Sequence, residues 1–340
     1  MKYESVKIYL SYNKDSQRIC SDVLVPIHAG RIITSPEQGR RLSDLIGDDT
    51  GDNISVKNQS YCELTVQYWV WKNRRSDYAG FMHYRRHLAF KKIDRKANIW
   101  GLSEYPFVND DYLDRIGLDD NTIISFVSDY DIVTVEQWDV SNAGSKNNYD
   151  HYKSSSKYLR ISDYDTALDI LKDRFPEYAP DAEAYNNSRL GYYTNIFVMK
   201  WEIFDEYCKF LFTILEELEK HIDLSKRNTQ EKRVFGYVSE WLLGIFITHK
   251  KSLLGCRIVE LPRTIVTNTD IEKGFLEVCS VSDDNYARHL GVAMTSVKIN
   301  KGSEKIRYWI LCNGVSEDSK ERLMSLESDD FRICFVDIDG

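Results

Sequence analysis

The chain has 340 residues, enough for one large domain or two ordinary ones, and an apolar fraction of 42%, enough for a full core. Its formal charge of −8 argues against a nucleic-acid-binding surface. No run of residues predicts a signal peptide or a membrane span, and seven cysteines without a Cys-x-x-Cys pair indicate reduced thiols in a cytosolic protein.

The first third of the chain alternates between predicted strands and helices. A strand is predicted over residues 6–12 (VKIYLSY), and two short strand-like runs follow at 21–27 and 31–33. An acidic loop with two glycines then leads into one helix, which begins near Ser55 and carries apolar residues at three- and four-residue intervals. The next strand, residues 78–82, is short and apolar.

The rest of the chain continues the alternation. Residues 88–112 are irregular and predicted to be a surface insertion, and residues 136–156 a mobile loop. The other predicted elements are helices at 120–128, 162–174, 201–222 and 233–248, strands at 130–135 and 192–199, and a strand pair at 257–266. A β-α-β-α-β run follows, at 275–281, 287–300, 306–311, 316–325 and 331–338.

This order predicts an α/β fold with a mostly parallel sheet. The strand at 78–82 ends in His83, Tyr84, Arg85 and Arg86, and open α/β sheets present their chemistry at the carboxyl ends of strands. In glycosyltransferases of the GT-A fold, the corresponding strand ends at the donor diphosphate, commonly in an Asp-x-Asp metal motif. Two guanidinium groups can neutralise a diphosphate without a metal. Arg85 and Arg86 are therefore the predicted diphosphate ligands, with one of them anchoring a nearby carboxylate as the alternative.

Several long motifs resemble one family. They are GDDTGDNIS, YCELT, YWVWKN and DYAGFMHYRR between residues 47 and 86, then YYTNIFVMKWEIFDEYCKFLFTILEELEK from residue 192 and RVFGYVSEWLL from residue 233. Residues 5–270 thereby resemble the bacterial domain-of-unknown-function 4422 family, grouped with glycosyltransferase family 111. The chain departs from that pattern in the segment DHYKSSSKYLRISD and at Trp241. The resemblance implies a GT-A-like, inverting galactofuranosyltransferase that uses UDP-galactofuranose in O-antigen or capsule synthesis.

A second resemblance covers residues 271–340. The β-α-β-α-β run is similar to the opening of a glycosyltransferase family 8 domain, in which an acidic-Asn-Tyr turn contacts uridine. The corresponding turn here is Asp283, Asp284, Asn285 and Tyr286. We therefore expect two domains, 1–270 and 271–340, the second a truncated part of a bifunctional polymerase that binds no donor usefully by itself.

An inverting transfer needs a general base for the acceptor hydroxyl and stabilisation of the departing UDP. Glu240 is a carboxylate in an otherwise apolar helical segment, a setting that raises a carboxyl pKa, and we predict that it is the base. A solvated or salt-bridged helix glutamate is the alternative. Asp205 and Glu206 are weaker candidates that fit an ordinary helix surface.

The predicted donor-binding residues lie at the loop-to-helix junction and at two strands. They are Asp52, Lys57, Asn58, His83, Tyr84, Arg85, Arg86 and Asn195. Helix N-capping by Asp52, Asn53 or Ser55 is the alternative at the junction, and a satisfied core histidine is the alternative for His83. We predict no required cofactor, although Asp48 and Asp49 leave Mn²⁺ or Mg²⁺ open as an option.

The expected partners follow from the resemblance. They are a UDP-sugar donor, a lipid-linked or oligosaccharide galactoside acceptor, and other polysaccharide assembly enzymes. A cytoplasmic location is expected, with peripheral contact to the inner face of the membrane as an open option. The competing hypotheses are a catalytically silent sugar-nucleotide-binding module and a scaffolding domain of an assembly complex.

Overall fold

The computed structural model describes residues 5–267, 269, 275–302 and 304–338. The chain divides into two compact units, Met1–Asp270 and Ile271–Gly340. The predicted boundary between residues 270 and 271 itself lies outside the described residues.

Strands and helices alternate through the described part of the first unit. Its strands are β1 (Val6–Tyr12), β2 (Leu24–His28), β3 (Ile46–Gly47), β4 (Tyr78–His83), β5 (Arg86–Leu88), β6 (Leu102–Tyr105), β7 (Ile132–Val135), β8 (Trp138–Asp139), β9 (Leu190–Gly191), β10 (Phe197–Lys200), β11 (Ile258–Leu261) and β12 (Arg263–Val266). Its helices are α1 (Pro36–Arg41), α2 (Asn58–Tyr61), α3 (Leu64–Asn73), α4 (Asp110–Ile116), α5 (Asp120–Val127), α6 (Asn148–Ser154), α7 (Ile161–Arg174), α8 (Ala179–Asn187), α9 (Trp201–Glu219) and α10 (Val234–Ser252).

The main sheet has the strand order β11-β7-β10-β4-β1-β2-β3. Strands β4, β1, β2 and β3 pair in parallel, as do β11 and β7. Strand β10 runs antiparallel to both of its neighbours, β4 and β7. Because β10 is antiparallel to both neighbours, β4 and β7 run in the same direction. The amino end of β10 therefore lies at the sheet edge formed by the carboxyl ends of β4 and β7.

The sheet is buried because its strands are almost continuously apolar, as in sheets covered on both faces. In β4 and β7 each residue other than His83 is buried. Helix α9 packs an apolar stripe against this layer, with Phe204 contacting the rings of Phe81 and Phe197. The predicted aromatic stripe of residues 201–218 is therefore core.

The predicted helix from Ser55 is interrupted. A 3₁₀ turn at Ser55–Lys57 and the short helix α2 come first, and α3 begins only at Leu64. Between them Cys62 has φ 52° and ψ −132°, which breaks the helical path. The apolar spacing continues across this break, which is why the sequence pattern indicated one helix.

Several other predictions need correction. Residues 31–33 form a 3₁₀ turn rather than a strand, because Gly30 before them has a positive φ. The predicted surface insertion at 88–112 contains β6 and the start of α4, and the predicted mobile loop at 136–156 contains β8 and α6. The strand expected at 192–199 begins only at Phe197. Asn195 therefore precedes a strand instead of lying in its middle.

The second unit is a small parallel sheet. Its strands β13 (Phe275–Ser282), β14 (Lys305–Cys312) and β15 (Phe331–Asp337) pair in that order. Helices α11 (Ala287–Asn300) and α12 (Glu317–Met324) connect them. Met294, Ile310 and Phe331 lie in its buried core. Within the described residues, no helix is both long and apolar enough to cross a membrane.

Candidate active site

A cleft of about 390 Å³ opens at the carboxyl edge of the main sheet. Ser11 and Asn13 line it from the end of β1, Ala29 from the residue after β2, and His83 from the end of β4. The opposite wall comes from α2, the break at Cys62 and the approach to α10. Its residues are Asn58, Gln59, Cys62, Glu63, Thr229, Lys232 and Arg233. In open α/β sheets, this edge is where ligands bind.

Glu240 on α10 is a partly buried carboxylate held by one backbone donor. The Thr194 N–H donates to Glu240 Oε2 over 3.0 Å. Burial, followed by the negative charge of Glu63, raises the pKa of Glu240 to about 7. The bond from Thr194 and the charges of Arg86 and Arg263 act in the opposite direction. A carboxyl group with this pKa can both accept and release a proton near neutral pH.

A second carboxylate, Glu63, lines the cleft. The Asn195 amide donates from Nδ2 to Glu63 Oε1 over 2.7 Å and to Ser239 Oγ over 3.0 Å. The buried Asn195 Oδ1 has no hydrogen-bond partner. Asn195 thus fixes Glu63 beside the helix that carries Glu240.

The predicted cationic turn is a two-residue hairpin that joins β4 to β5, with His83 paired to Arg86. The buried Nε atoms of Arg85 and Arg86 have no hydrogen-bond partner, nor does the buried Nδ1 of His83. Burial and the two neighbouring arginines hold the pKa of His83 well below its usual value, so its ring is neutral. Buried polar groups without partners are rare, and here they converge beside one cleft. Tyr84, by contrast, is buried and packs on Tyr12.

Two residues next to these carboxylates have a backbone conformation that non-glycine residues seldom adopt. Cys62, which precedes Glu63, has φ 52°, and Thr194, which binds Glu240, has φ 75°. Each such residue costs about 1–3 kcal/mol and persists only where its surroundings enforce it. Asn58 holds the Cys62 carbonyl through Nδ2 over 2.7 Å. Strain in the first unit therefore occurs where the two carboxylates are positioned.

The model of the domain of unknown function DUF4422 matches residues 7–251. The chain belongs to this family. It is also 39% identical to a solved structure described as the WbbM bifunctional glycosyltransferase in its apo form, with a TM-score of 0.73. That match covers 97% of this chain and 59% of the WbbM chain, so this chain spans less than two thirds of its relative's length.

Two further solved structures match only a short part of the chain. Two structures of the galactosyltransferase LgtC, one with donor and acceptor sugar analogues and one of an active-site mutant, are 31% identical over 19% of this chain and 23% of theirs. Their TM-score is 0.18. No curated protein sequence matches the chain significantly. The WbbM likeness, together with the mixed sheet flanked by helices, establishes a GT-A-like α/β fold, which confirms the predicted fold class.

Of the eight predicted donor-binding residues, Asn58 and His83 line the cleft and the other six do not. Asp52 and Lys57 are both bound elsewhere. Asp52 lies at the opposite end of α3, where its backbone is bound by Asn73 and its side chain accepts from Tyr68. Lys57 forms a 2.6 Å ion pair with Glu219 of α9. Of the capping alternatives, the Asn53 side chain accepts from the Ser55 N–H over 3.2 Å where the 3₁₀ turn begins, while neither α2 nor α3 has a side-chain cap. Both residues attach the loop to the helical layer.

Asp48 is a structural residue rather than part of a solvated acidic loop. It is fully buried, and its two oxygens accept from Gly30 N, Arg31 N, Ser55 Oγ and Thr65 Oγ1. Asp49 lies 3.7 Å from the Arg31 guanidinium. Among the residues that the structure describes, no group of three or more His, Cys, Asp or Glu side chains is arranged to hold a metal ion. A metal held by Asp48 is thus disfavoured, while metal independence stays a prediction.

The weaker candidates for the base also have other partners. Asp205 accepts from the Trp71 indole and pairs with Lys209, and Glu206 accepts from Tyr178 and Lys250. Neither side chain lines the cleft.

In the second unit, the predicted uridine turn follows β13. Asp283 caps the turn by accepting from the Tyr286 N–H, and Asp284 accepts from the Ser316 N–H over 2.9 Å and the Ser316 hydroxyl over 2.7 Å. Hydrogen bonding from the Ser316 hydroxyl, then from Ser319 and from the Ser316 N–H, lowers the pKa of Asp284 to about 2. Asp284 and Asn285 border a cavity of about 610 Å³, and Tyr286 is exposed. The uridine contact itself stays a prediction.

The sequence reasoning missed Glu63, Thr194, Arg233 and Arg263. Glu63 is a charged residue between the apolar-stripe residues Tyr61 and Leu64, and this interruption was a usable signal in the sequence. Arg263, in the strand pair IVELPRTIV, interrupts an apolar run in the same way, yet it is buried. Nothing in the local sequence predicts the positive φ of Thr194, because the fold imposes it.

Proposed function

We propose that this DUF4422 chain is an inverting glycosyltransferase of the family-111 type, which transfers galactofuranose from UDP-galactofuranose to a galactoside acceptor in O-antigen or capsular polysaccharide synthesis. One observation carries the proposal. Glu240, a carboxylate whose pKa lies near neutral, interacts electrostatically with Arg86 and with Glu63, and Glu63 and His83 line a cleft at the carboxyl edge of a GT-A-like sheet. The likeness to the WbbM bifunctional glycosyltransferase over nearly the whole chain supports it.

Glu240 serves as the general base. In a single displacement, the acceptor hydroxyl attacks the anomeric carbon while its proton passes to a Glu240 oxygen, and the bond to the UDP oxygen breaks. The Thr194 N–H occupies Oε2, which leaves Oε1 for the proton. The neighbouring Glu63 raises the pKa of Glu240 and so increases its strength as a base.

The hairpin arginines stabilise the leaving group. Charge builds on the diphosphate as the glycosidic bond breaks, and fixed cationic donors stabilise that charge more than they stabilise the intact donor. Arg86 is the better candidate, because its charge also acts on Glu240. The neutral His83 contributes hydrogen bonding rather than charge. Ser11 and Asn13 on one wall and Asn58 on the opposite wall line the adjoining part of the cleft, which we assign to the nucleoside.

The test is incubation with UDP-galactofuranose and a galactoside acceptor, with UDP-galactopyranose as the comparison donor. We expect a β-galactofuranosyl product, identified by NMR, that still forms in the presence of EDTA. An α-linked product would contradict inversion, and loss of product with EDTA would contradict metal independence. Turnover of UDP-galactopyranose alone would contradict the donor assignment.

Glu240→Gln separates an enzyme from a silent binding module. The amide keeps an acceptor oxygen for the Thr194 N–H but cannot take the proton. Transfer should fall by about 10²- to 10⁴-fold, while UDP still raises the melting temperature by mass action. If the variant transferred sugar at the wild-type rate, Glu240 would not be the base.

A further inference from the structure

The loop Asn98–Gly101 presents an indole at the sheet edge that carries the cleft. Trp100 is 50% exposed, yet its main chain is firmly held. The Asn98 side chain accepts from the Trp100 N–H over 2.9 Å and from the Leu102 N–H over 3.1 Å. Gly101 closes the turn with φ 70°. An exposed large aromatic residue on a fixed turn is preorganised, so it loses little conformational entropy when a ligand binds.

The indole also has a supporting ring beneath it. The rings of Trp100 and Trp138 lie 5.6 Å apart at 35°, and Trp138 Nε1 donates to the Ile99 carbonyl over 2.8 Å. A Cβ on Gly101 would approach Trp138 Cδ1 to 3.1 Å and Arg263 Nη2 to 3.2 Å, so the turn requires glycine on grounds of space as well as φ. Trp138 in turn contacts the ring of Tyr193 at 5.7 Å.

One guanidinium connects this loop to the base. The buried Arg263 donates from Nη2 to the Trp100 carbonyl over 3.1 Å and from Nη1 to the Tyr193 carbonyl over 2.8 Å. Tyr193 directly precedes Thr194, whose N–H binds Glu240. The exposed indole and the base are therefore held by consecutive hydrogen bonds through Arg263.

The strands explain why these groups meet. Trp138 follows the carboxyl end of β7, and Arg263 follows the carboxyl end of β11. Both strands lie on the far side of β10 from β4, β1 and β2, whose ends supply the proposed donor wall. The indole thus lies at the same sheet edge but on the half that the donor does not use.

We propose that Trp100 is an acceptor-binding residue on which a sugar ring of the saccharide acceptor stacks while its neighbouring hydroxyl reaches Glu240. This inference rests on the proposed glycosyltransferase function. Sugar rings carry apolar C–H faces that pack on an aromatic plane, and Trp offers the largest rigid plane at low entropic cost. Trp100 acts in binding only, and no bond to it forms or breaks.

The test compares Trp100→Ala and Trp100→Phe with Ile99→Ala, a matched control at the neighbouring side chain, which is 67% exposed. With a methyl galactoside disaccharide as acceptor, Trp100→Ala should raise the acceptor KM about five- to tenfold with little change in kcat. Trp100→Phe should have an acceptor KM between those of Trp100→Ala and wild type, and Ile99→Ala should have the wild-type acceptor KM. An unchanged acceptor KM in Trp100→Ala would overturn the proposal.

Three further measurements separate acceptor stacking from donor binding, from the proposed function and from membrane contact. The UDP-induced rise in melting temperature should be equal in wild type and Trp100→Ala, since the donor wall lies elsewhere. If wild type binds UDP but transfers nothing, the proposed function fails, while quenching of tryptophan fluorescence by the disaccharide, lost in Trp100→Phe, still supports stacking. If Trp100→Ala abolishes sedimentation with anionic vesicles but leaves the acceptor KM unchanged, the indole is a membrane contact and the proposal is wrong.

Discussion

At the residue scale, the site depends on one carboxyl group whose protonation is set by its surroundings. Burial and Glu63 raise the pKa of Glu240 to about 7, against an ordinary value of 4.5. Because the base must be ionised, kcat/KM should fall tenfold per pH unit below about pH 7 and level off above about pH 8. A pH–rate profile of transfer checks this. A profile that stays flat down to about pH 5.5 would contradict the assignment.

The raised pKa of Glu240 also predicts that stability changes with pH in the direction opposite to activity. The folded pKa lies above the unfolded one, so the contribution of Glu240 to stability is complete below pH 4.5 and is lost as pH rises through about 7. One pKa unit corresponds to about 1.4 kcal/mol, so the loss amounts to at most about 3.5 kcal/mol. Glu240→Gln should lack this loss and melt higher than wild type at about pH 8, but not at pH 4.5. Nucleotide-free thermal melts at both values measure it.

The two arginines of the hairpin should differ in effect. Arg86→Ala should lower kcat by about 10²- to 10³-fold through loss of leaving-group stabilisation, and Arg86→Lys should recover only part of it, since an ammonium cannot bind two oxygens in a fork. Arg85→Ala should lower kcat by a smaller factor than Arg86→Ala. The control is Arg75→Ala, an exposed residue whose guanidinium lies 3.5 Å from Glu202. Wild-type kcat in Arg86→Ala would place the diphosphate elsewhere.

The members of the proposed site that the sequence predicts are those with a local signal. His83, Arg85 and Arg86 follow a short apolar strand, and Glu240 interrupts an apolar helix. Glu63 and Arg263 were missed because their importance comes from partners that are distant in sequence, such as Asn195 and Tyr193. Asp52 and Lys57 were predicted at the cleft because a polar loop near a helix start has the same composition whether it faces a ligand or a neighbouring helix, here α3 for Asp52 and α9 for Lys57.

At the element scale, the segment before α10 carries three residues of the cleft and is tied to α7. Arg227 donates both terminal nitrogens to Asp163 at 2.7 Å each, and both side chains are buried. Removing one partner of a buried pair leaves an uncompensated charge and costs about 3–5 kcal/mol. Asp163→Asn should therefore unfold at a markedly lower urea concentration and weaken UDP binding through Thr229, Lys232 and Arg233.

The control for that variant is Asp111→Asn. Its pair with Arg115 is equally short, 2.7 Å, but exposed, and exposed pairs contribute about 0–1 kcal/mol. If the two variants lost the same free energy of unfolding, burial would not explain how the Asp163–Arg227 pair stabilises the fold.

The limits of prediction at this scale have a physical cause. Strands β4 and β7 were found because they are continuously apolar. Strand β10 was expected to begin at residue 192, since Tyr192 and Tyr193 extend its apolar run. The positive φ of Thr194 ends that extension, and it follows from packing that a local pattern does not contain. The break at Cys62 was missed for the same reason.

At the scale of the whole molecule, the described residues that line the cleft or contact Glu240 belong to the first unit. A chain that ends at Thr267 should therefore keep the UDP-induced rise in melting temperature, with a Kd for UDP within about twofold of the full chain, a change of about 0.4 kcal/mol. Calorimetry on both chains checks it. Loss of UDP binding on truncation would show that the second unit contributes to the site.

The antiparallel strand β10 has a consequence for synthesis of the protein. It fills the place between β4 and β7, yet it emerges from the ribosome more than one hundred residues after β4. At about 5–20 residues per second, the apolar edge of β4 then lacks its partner for roughly 6–23 s. An unpaired apolar edge is a template for wrong pairing between nascent chains. Added chaperones that bind nascent chains should therefore raise the soluble yield, because they cover that edge until residues 197–200 arrive.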